Sequence, residues 1–468
     1  MTRRTHISLL LAVVLAHGLG GCGDDGASAN ADAATADDGA AATDGSTTPD
    51  AGTTPDGGVV DSGVDCTNAY FVAPDGVAGN PGTIDEPFAT VQEAHDNPAL
   101  GPGDVICLRG GTYYPTDRTR FRKAGTASDY IVIGAYPGEL PVINGRDIPE
   151  GDTNGGSTVT WAFSDAQYWK VQGPIHITNG RGAGVYIEDS QFIELHLVES
   201  SYNGKTAARG GHGFFLWGAG TNDILFRNCD GHHNANHLWR SGEDQLENQY
   251  QHGDGWRIFA GTNIRLVGCR AWHNLDDGYD FTQAPDPVEM EDCWAAYSGV
   301  DDAAGSITGT PNRPMRRWEG DGIKLGYEND MVAHLAIRCL SWNNNSHGWT
   351  VRGGPYTIYN SAAYNNVEAA FAFIDNNNSN VRSNTYGFQN AVGDGAGAAD
   401  YSGITVSDSD FVSLDDAGML GPRGPGGALP LTDFLRPAPG GNLVDVGVDL
   451  GLPFEGTAPD IGPFEHTP

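Results

Sequence analysis

One short motif recurs along this chain at a spacing that few folds can use. A glycine opens a strand-like tetrapeptide at Gly213-Phe214-Phe215-Leu216, Gly255-Trp256-Arg257-Ile258, Gly278-Tyr279-Asp280-Phe281, Gly322-Ile323-Lys324-Leu325 and Gly348-Trp349-Thr350-Val351. Ala370-Phe371-Ala372-Phe373 continues the series with alanine in the glycine place. Where no insertion intervenes, the glycines lie roughly 23 to 26 residues apart. Each repeat is then about one coil, and parallel coils stack ~4.8 Å apart. A chain built this way buries its core only by stacking neighbours.

A second strand type alternates with the first. It ends in cysteine: Ile224 to Cys229, Ile264 to Cys269, Val288 to Cys293, Leu335 to Cys339. Asparagines follow at Asn234, Asn274, Asn343–Asn345 and Asn366. From about residue 159 onward no helix interrupts these strands. The fold class that fits is all-β, a right-handed parallel β-helix. It starts near Tyr70-Phe71-Val72, and apolar Phe88, Val91 and Ala94 sit at helical spacing after Pro87. That pattern predicts a short helix over 88–96, capping the open end of the solenoid. Two intervals, Gly231–Gly253 and Ser298–Glu319, read as insertions projecting from the scaffold.

Strand side chains alternate between faces. The first and third residues after each glycine are apolar, so they face inward. The second residues form an outward column: Phe215, Arg257, Asp280, Lys324, Thr350, Ala372. Asp280 and Lys324 therefore stand on adjacent coils and one face. The turn before each glycine carries His212, Asp254, Asp277, Asp321 and His347, with Asp276 just ahead of Asp277. Aspartate commonly forms turns, and one Asp-Asp-Gly would signify nothing more. Four aspartates on two aligned coils, Asp254, Asp276, Asp277 and Asp280, are another matter. Crowded carboxylates repel unless a cation joins them. An all-oxygen set without His or Cys at ligand spacing suits Ca²⁺. An outward lysine is usually only solvated. Beside a dication and Arg257, Lys324 would be pushed toward its neutral form, as a general base requires.

Charge now bears on the substrate. The chain of 468 residues carries a formal net charge of −34, which argues against nucleic acid or an anionic membrane surface as partner. An acidic polysaccharide becomes a reasonable partner once calcium bridges the two anions. For a uronate polymer, calcium on the carboxylate and lysine as base would permit β-elimination. Arg257, Arg316, Arg317, Trp318, His347 and Arg352 are candidate substrate contacts, as are Trp239 and Arg240 in the first insertion.

The N-terminus reads as a targeting segment. Arg3 and Arg4 precede an apolar run from Ile7 to Ala16 and then Leu19-Gly20-Gly21-Cys22. Residues 1–21 are expected to be a signal peptide, and the ending resembles the bacterial lipobox, which implies lipidation of Cys22. The low-hydrophobicity stretch 22–65 would be a disordered tether, leaving 66–468 as the folded domain. A lipid-anchored cell-surface or secreted monomer is expected, touching the membrane only through that anchor. Cys66 and Cys107 are plausible disulfide partners in an exported chain. For Cys229, Cys269, Cys293 and Cys339, small buried free thiols are favoured over disulfides.

Several segments together resemble pectate lyases of polysaccharide lyase family 9. They are Phe71-Val72-Ala73-Pro74-Asp75-Gly76, Asn80-Pro81-Gly82-Thr83, Pro87-Phe88-Ala89-Thr90, Asp276-Asp277-Gly278-Tyr279-Asp280, Gly322-Ile323-Lys324-Leu325-Gly326 and Ser346-His347-Gly348-Trp349. The resemblance implies a right-handed parallel β-helix, a calcium held by Asp254, Asp276, Asp277 and Asp280, and Lys324 as base. The segment 298–319 departs from the family pattern. The expected activity is Ca²⁺-dependent cleavage of polygalacturonate. A rhamnogalacturonan or other uronate lyase on the same scaffold is the nearest alternative. A non-catalytic, polysaccharide-binding surface protein is the alternative from another class.

Overall fold

A computed structural model of the chain describes residues 63–149, 158–204, 211–235, 253–300, 320–327, 331–374, 381–390 and 404–466. Its strands pair in parallel throughout two stacks. Among the described residues, one stack contains nine strands and includes Val185–Glu188, Phe214–Trp217, Trp256–Ile258, Tyr279–Asp280, Ile323–Leu325, Trp349–Arg352 and Phe371–Ile374. The other contains nineteen and includes the strands that lead into the cysteines. This is a right-handed parallel β-helix.

The register follows the glycine alignment. Phe215 pairs with Arg257, Arg257 with Asp280, Asp280 with Lys324, Lys324 with Thr350, and Thr350 with Ala372. Inward residues Phe214, Trp256, Tyr279, Ile323 and Trp349 are fully buried and belong to one continuous core. Steric room explains why glycine leads these strands. A Cβ on Gly278 would lie 2.6 Å from the carbonyl oxygen of Gly322, and one on Gly255 would lie 2.6 Å from that of Gly278. Coils stacked at strand spacing leave no volume there for a side chain.

Side-chain ladders hold the coils in register. Asn203 Nδ2 donates to Asn234 Oδ1 at 3.0 Å, and Asn234 Nδ2 to Asn274 Oδ1 at 3.0 Å. Farther along, Asn344 Nδ2 donates to Asn366 Oδ1 at 2.8 Å. Cys229, Cys269, Cys293 and Cys339 are buried free thiols. Cys66 and Cys107 form a disulfide.

The predicted helix is shorter than 88–96. It spans Val91–Asp96, with Thr90 as N-cap in a capping box with Glu93. Phe88 instead bridges in parallel to Val72, so the edge of the first strand takes the residue that periodicity gave to the helix. Val91 and Ala94 bury into the main core and Phe88 packs in the same cluster.

The C-terminal segment 404–466 lies against the outer face of the larger sheet. Its Phe411, Met419, Phe434 and Leu443 pack on Trp272, Trp294, Trp342 and Tyr364. Arg423 Nη2 reaches Asp230 Oδ1 at 2.6 Å, and Arg270 Nη2 reaches Asp230 Oδ2 at 2.7 Å. No helix among the described residues is long and apolar enough to cross a membrane.

Candidate active site

The residue before each glycine forms a ladder of its own. Asp254 N donates to His212 Nδ1 at 3.3 Å. Asp277 N donates to Asp254 Oδ1 at 3.0 Å, and Asp321 N to Asp277 Oδ1 at 2.9 Å. His347 N donates to Asp321 Oδ1 at 3.1 Å, and Ala369 N to His347 Nδ1 at 3.1 Å. Each of these side chains satisfies a backbone donor of the next coil. The turn-forming role of aspartate is therefore real here, and it uses one oxygen of each carboxylate.

The second oxygens face the site. Lys324 Nζ donates to Asp277 Oδ2 at 2.9 Å. Arg257 Nη1 lies 3.0 Å from Asp254 Oδ2 and 3.3 Å from Asp280 Oδ2. Asp254, Asp277 and Asp280 each offer one oxygen within 4.8 Å of the others, and all three are buried. Asp276 is buried beside them but does not join this close group. Three of the four expected ligands thus converge.

Charge in the cluster is unbalanced. Five aspartates, Asp254, Asp276, Asp277, Asp280 and Asp321, face the cations Lys324 and Arg257. Burial pushes the Asp276 carboxyl well above the usual range, and the charges of Asp277 and Asp254 add to the effect. Burial raises Asp277 likewise; Asp321, Asp280 and Asp254 push it further, against the pull of Lys324. Burial alone would favour the neutral amine at Lys324, but Asp277, Asp280 and Asp276 outweigh it and hold its pKa well above the ordinary value. The sequence led us to expect a lowered value. The difference is physical, because that expectation assumed a dication among the carboxylates. A buried all-oxygen donor set with surplus negative charge fits a hard cation such as Ca²⁺.

Other expected contacts fall differently. Arg257 is engaged by Asp254 and Asp280, and its guanidinium lies over the Phe259 ring at 4.1 Å from the centroid. The His347 ring takes part in the ladder. Arg352 ends its strand on the outward face, half-buried. Arg316, Arg317, Trp318, Trp239 and Arg240 lie outside the described residues, as does Cys22.

This stack starts earlier than the glycine alignment placed it, at the strands Thr119–Phe121, Trp161–Ser164 and Val185–Glu188. Gly184-Val185-Tyr186-Ile187 has the same pattern and pairs with the Phe214 strand, which places Tyr186 on the outward column beside Phe215. Trp217, at the end of its strand, and Phe259, just past the end of the next, both bring their rings to within 6.1 Å of Phe215.

Residues 70–384 match the model of the Pel9A-like right-handed β-helix region. The chain belongs to this family. Pectate lyase PEL9 of Emericella nidulans is 29% identical over 405 residues, covering 79% of this chain and 92% of that protein. Pectate lyase L of Dickeya dadantii is 27% identical over 428 residues, covering 86% and 92%. Among solved structures, pectate lyase Pel9A superposes with a TM-score of 0.67 at 24% identity, covering 87% of this chain and 99% of that one. A rhamnogalacturonan lyase superposes at 0.55 with 19% identity, covering 78% and 95%. These superpositions concern the fold, and both extend over most of this Pel9A-like chain.

Proposed function

We propose that this polysaccharide lyase of the β-helix class cleaves polygalacturonate by Ca²⁺-dependent β-elimination, with Lys324 as the base. The observation that carries the reading is the contact between Lys324 and Asp277 across adjacent coils, at the rim of a buried group of three carboxylates. The names of its relatives supply the substrate class.

Asp254, Asp277 and Asp280 would hold the calcium, with Asp276 close at hand. Bound there, Ca²⁺ would neutralise the polymer's carboxylate, acidify the C5 proton beside it and offset the charges that otherwise keep Lys324 protonated. Lys324 Nζ, as the neutral amine, takes the C5 proton. The electron pair left behind becomes the C4–C5 double bond, and the C4–O glycosidic bond breaks with its electrons on the leaving oxygen. That oxygen takes up a proton, and no water is consumed. Arg257 keeps Asp254 and Asp280 oriented from the side away from Lys324 in register.

The proposal extends to placement. Residues 1–21 would direct export, lipidated Cys22 would anchor a monomer at the cell surface, and 22–65 would tether the catalytic domain 66–468.

The test is an incubation of the purified protein with polygalacturonate, with and without chelator, followed by ultraviolet absorbance of unsaturated uronides. Absorbance that chelator abolishes is the expected result. Reducing ends without that absorbance would mean hydrolysis. Binding without turnover would mean a non-catalytic binder.

A further inference from the structure

The outward face that carries the site does not end at the carboxylates. On the coils that precede them it becomes aromatic. Tyr186 and Phe215 rings lie 5.4 Å apart between centroids. Phe215 lies 6.1 Å from both Trp217 and Phe259, and those two lie 6.1 Å from each other. Trp217 is 46% exposed, and the other three are partly exposed. The strip is continuous with the site in register, through Phe215, Arg257, Asp280 and Lys324.

Spacing suits a sugar chain. Each coil step is ~4.8 Å, about the length of one pyranose unit. A polymer laid along the solenoid axis would cross the rings about two to four units from the bond beside Lys324.

Charge narrows the ligand. Tyr186 lies in the field of Glu188 and Asp189, opposed by Arg118. Arg257, at the strip's other end, is held by Asp254 and Asp280. A free uronate carboxylate on this strip would lose water against apolar rings and, near Tyr186, meet the like charges of Glu188 and Asp189, both of which cost free energy. A methyl ester removes the charge and adds a methyl group for the rings to cover.

We infer that Tyr186, Phe215, Trp217 and Phe259 form a subsite for methyl-esterified uronate units, several sugars away from the cleaved bond. This rests on the uronate-lyase reading above. It makes the protein a reader of esterification pattern, accepting a free carboxylate at the calcium cluster and a masked one on the rings.

The test uses the full chain carrying Lys324→Ala, so that polymers survive. Calorimetry in calcium compares partially methyl-esterified pectin with de-esterified polygalacturonate, with and without Trp217→Ala. The affinity ratio, esterified over de-esterified, should fall about fivefold in Trp217→Ala, the effect of one aromatic contact, and Trp217→Phe should restore most of it. An unchanged ratio overturns the inference, whether both affinities fall together or neither moves. So does absence of binding to either polymer. The lyase reading is judged separately, by unsaturated product from the unsubstituted chain. If that product never forms, the calorimetric ratio still decides the subsite.

Discussion

Asp277 serves two purposes with one side chain. Oδ1 accepts the Asp321 amide and ties two coils together, while Oδ2 accepts from Lys324. Asp254 divides its oxygens in the same way, between the Asp277 amide and Arg257. These aspartates therefore tie the coils together and still present a second oxygen to the site. Alternation and glycine spacing alone were enough to put Asp280 and Lys324 side by side. They said nothing about which oxygen goes where, because that depends on backbone amides of the next coil. An asparagine at 277 would keep the ladder oxygen and lose the charge. Asp277→Asn should thus weaken calcium binding roughly tenfold or more by calorimetry. Its melting midpoint in chelator should not fall, because a carboxylate whose pKa is raised in the fold opposes folding when ionised. Wild-type calcium affinity in that variant would remove Asp277 from the ligand set.

At the scale of elements, the strands were legible and the helix only partly. Strand register followed from a period-two pattern repeated at every coil. The first turn of the expected helix was lost to Phe88, whose bridge to Val72 extends the sheet edge. Turns carry information that the pattern hides. His334 is 1% exposed, stacks on Tyr356 with ring centroids 5.4 Å apart, and accepts the Val288 amide at Nδ1 at 3.0 Å. Burial lowers its pKa to about 3. A folded-state value below the unfolded one of about 6.5 means that the unfolded chain takes up the proton first. The stabilising effect is complete above about pH 6.5 and is lost as pH falls toward about 3, at up to ~1.4 kcal/mol per pH unit. His334→Gln retains an acceptor for Val288 without a titrating ring. The acid limb of its melting temperature against pH should be shallower than in the wild type, and an equally steep limb would contradict this assignment.

Over the folded unit 63–466, the least legible part is the C-terminal segment. Its sequence has no repeat, and nothing in the coil pattern marks Trp272, Trp294 and Trp342 as its docking surface. They point outward, and 404–466 covers them. The site, in contrast, needs three successive coils in register, and the whole stack supplies that: Asp254 from one, Asp276 to Asp280 from the next, Lys324 from a third. In the proposed mechanism the third coil brings a base to a metal site formed by the other two. Measuring Lys324→Ala for turnover of polygalacturonate and for calcium affinity in parallel tests it most directly. The expected outcome is loss of unsaturated product by several orders of magnitude, with calcium affinity unchanged or tighter once a neighbouring positive charge is gone. Wild-type turnover in that variant would contradict it.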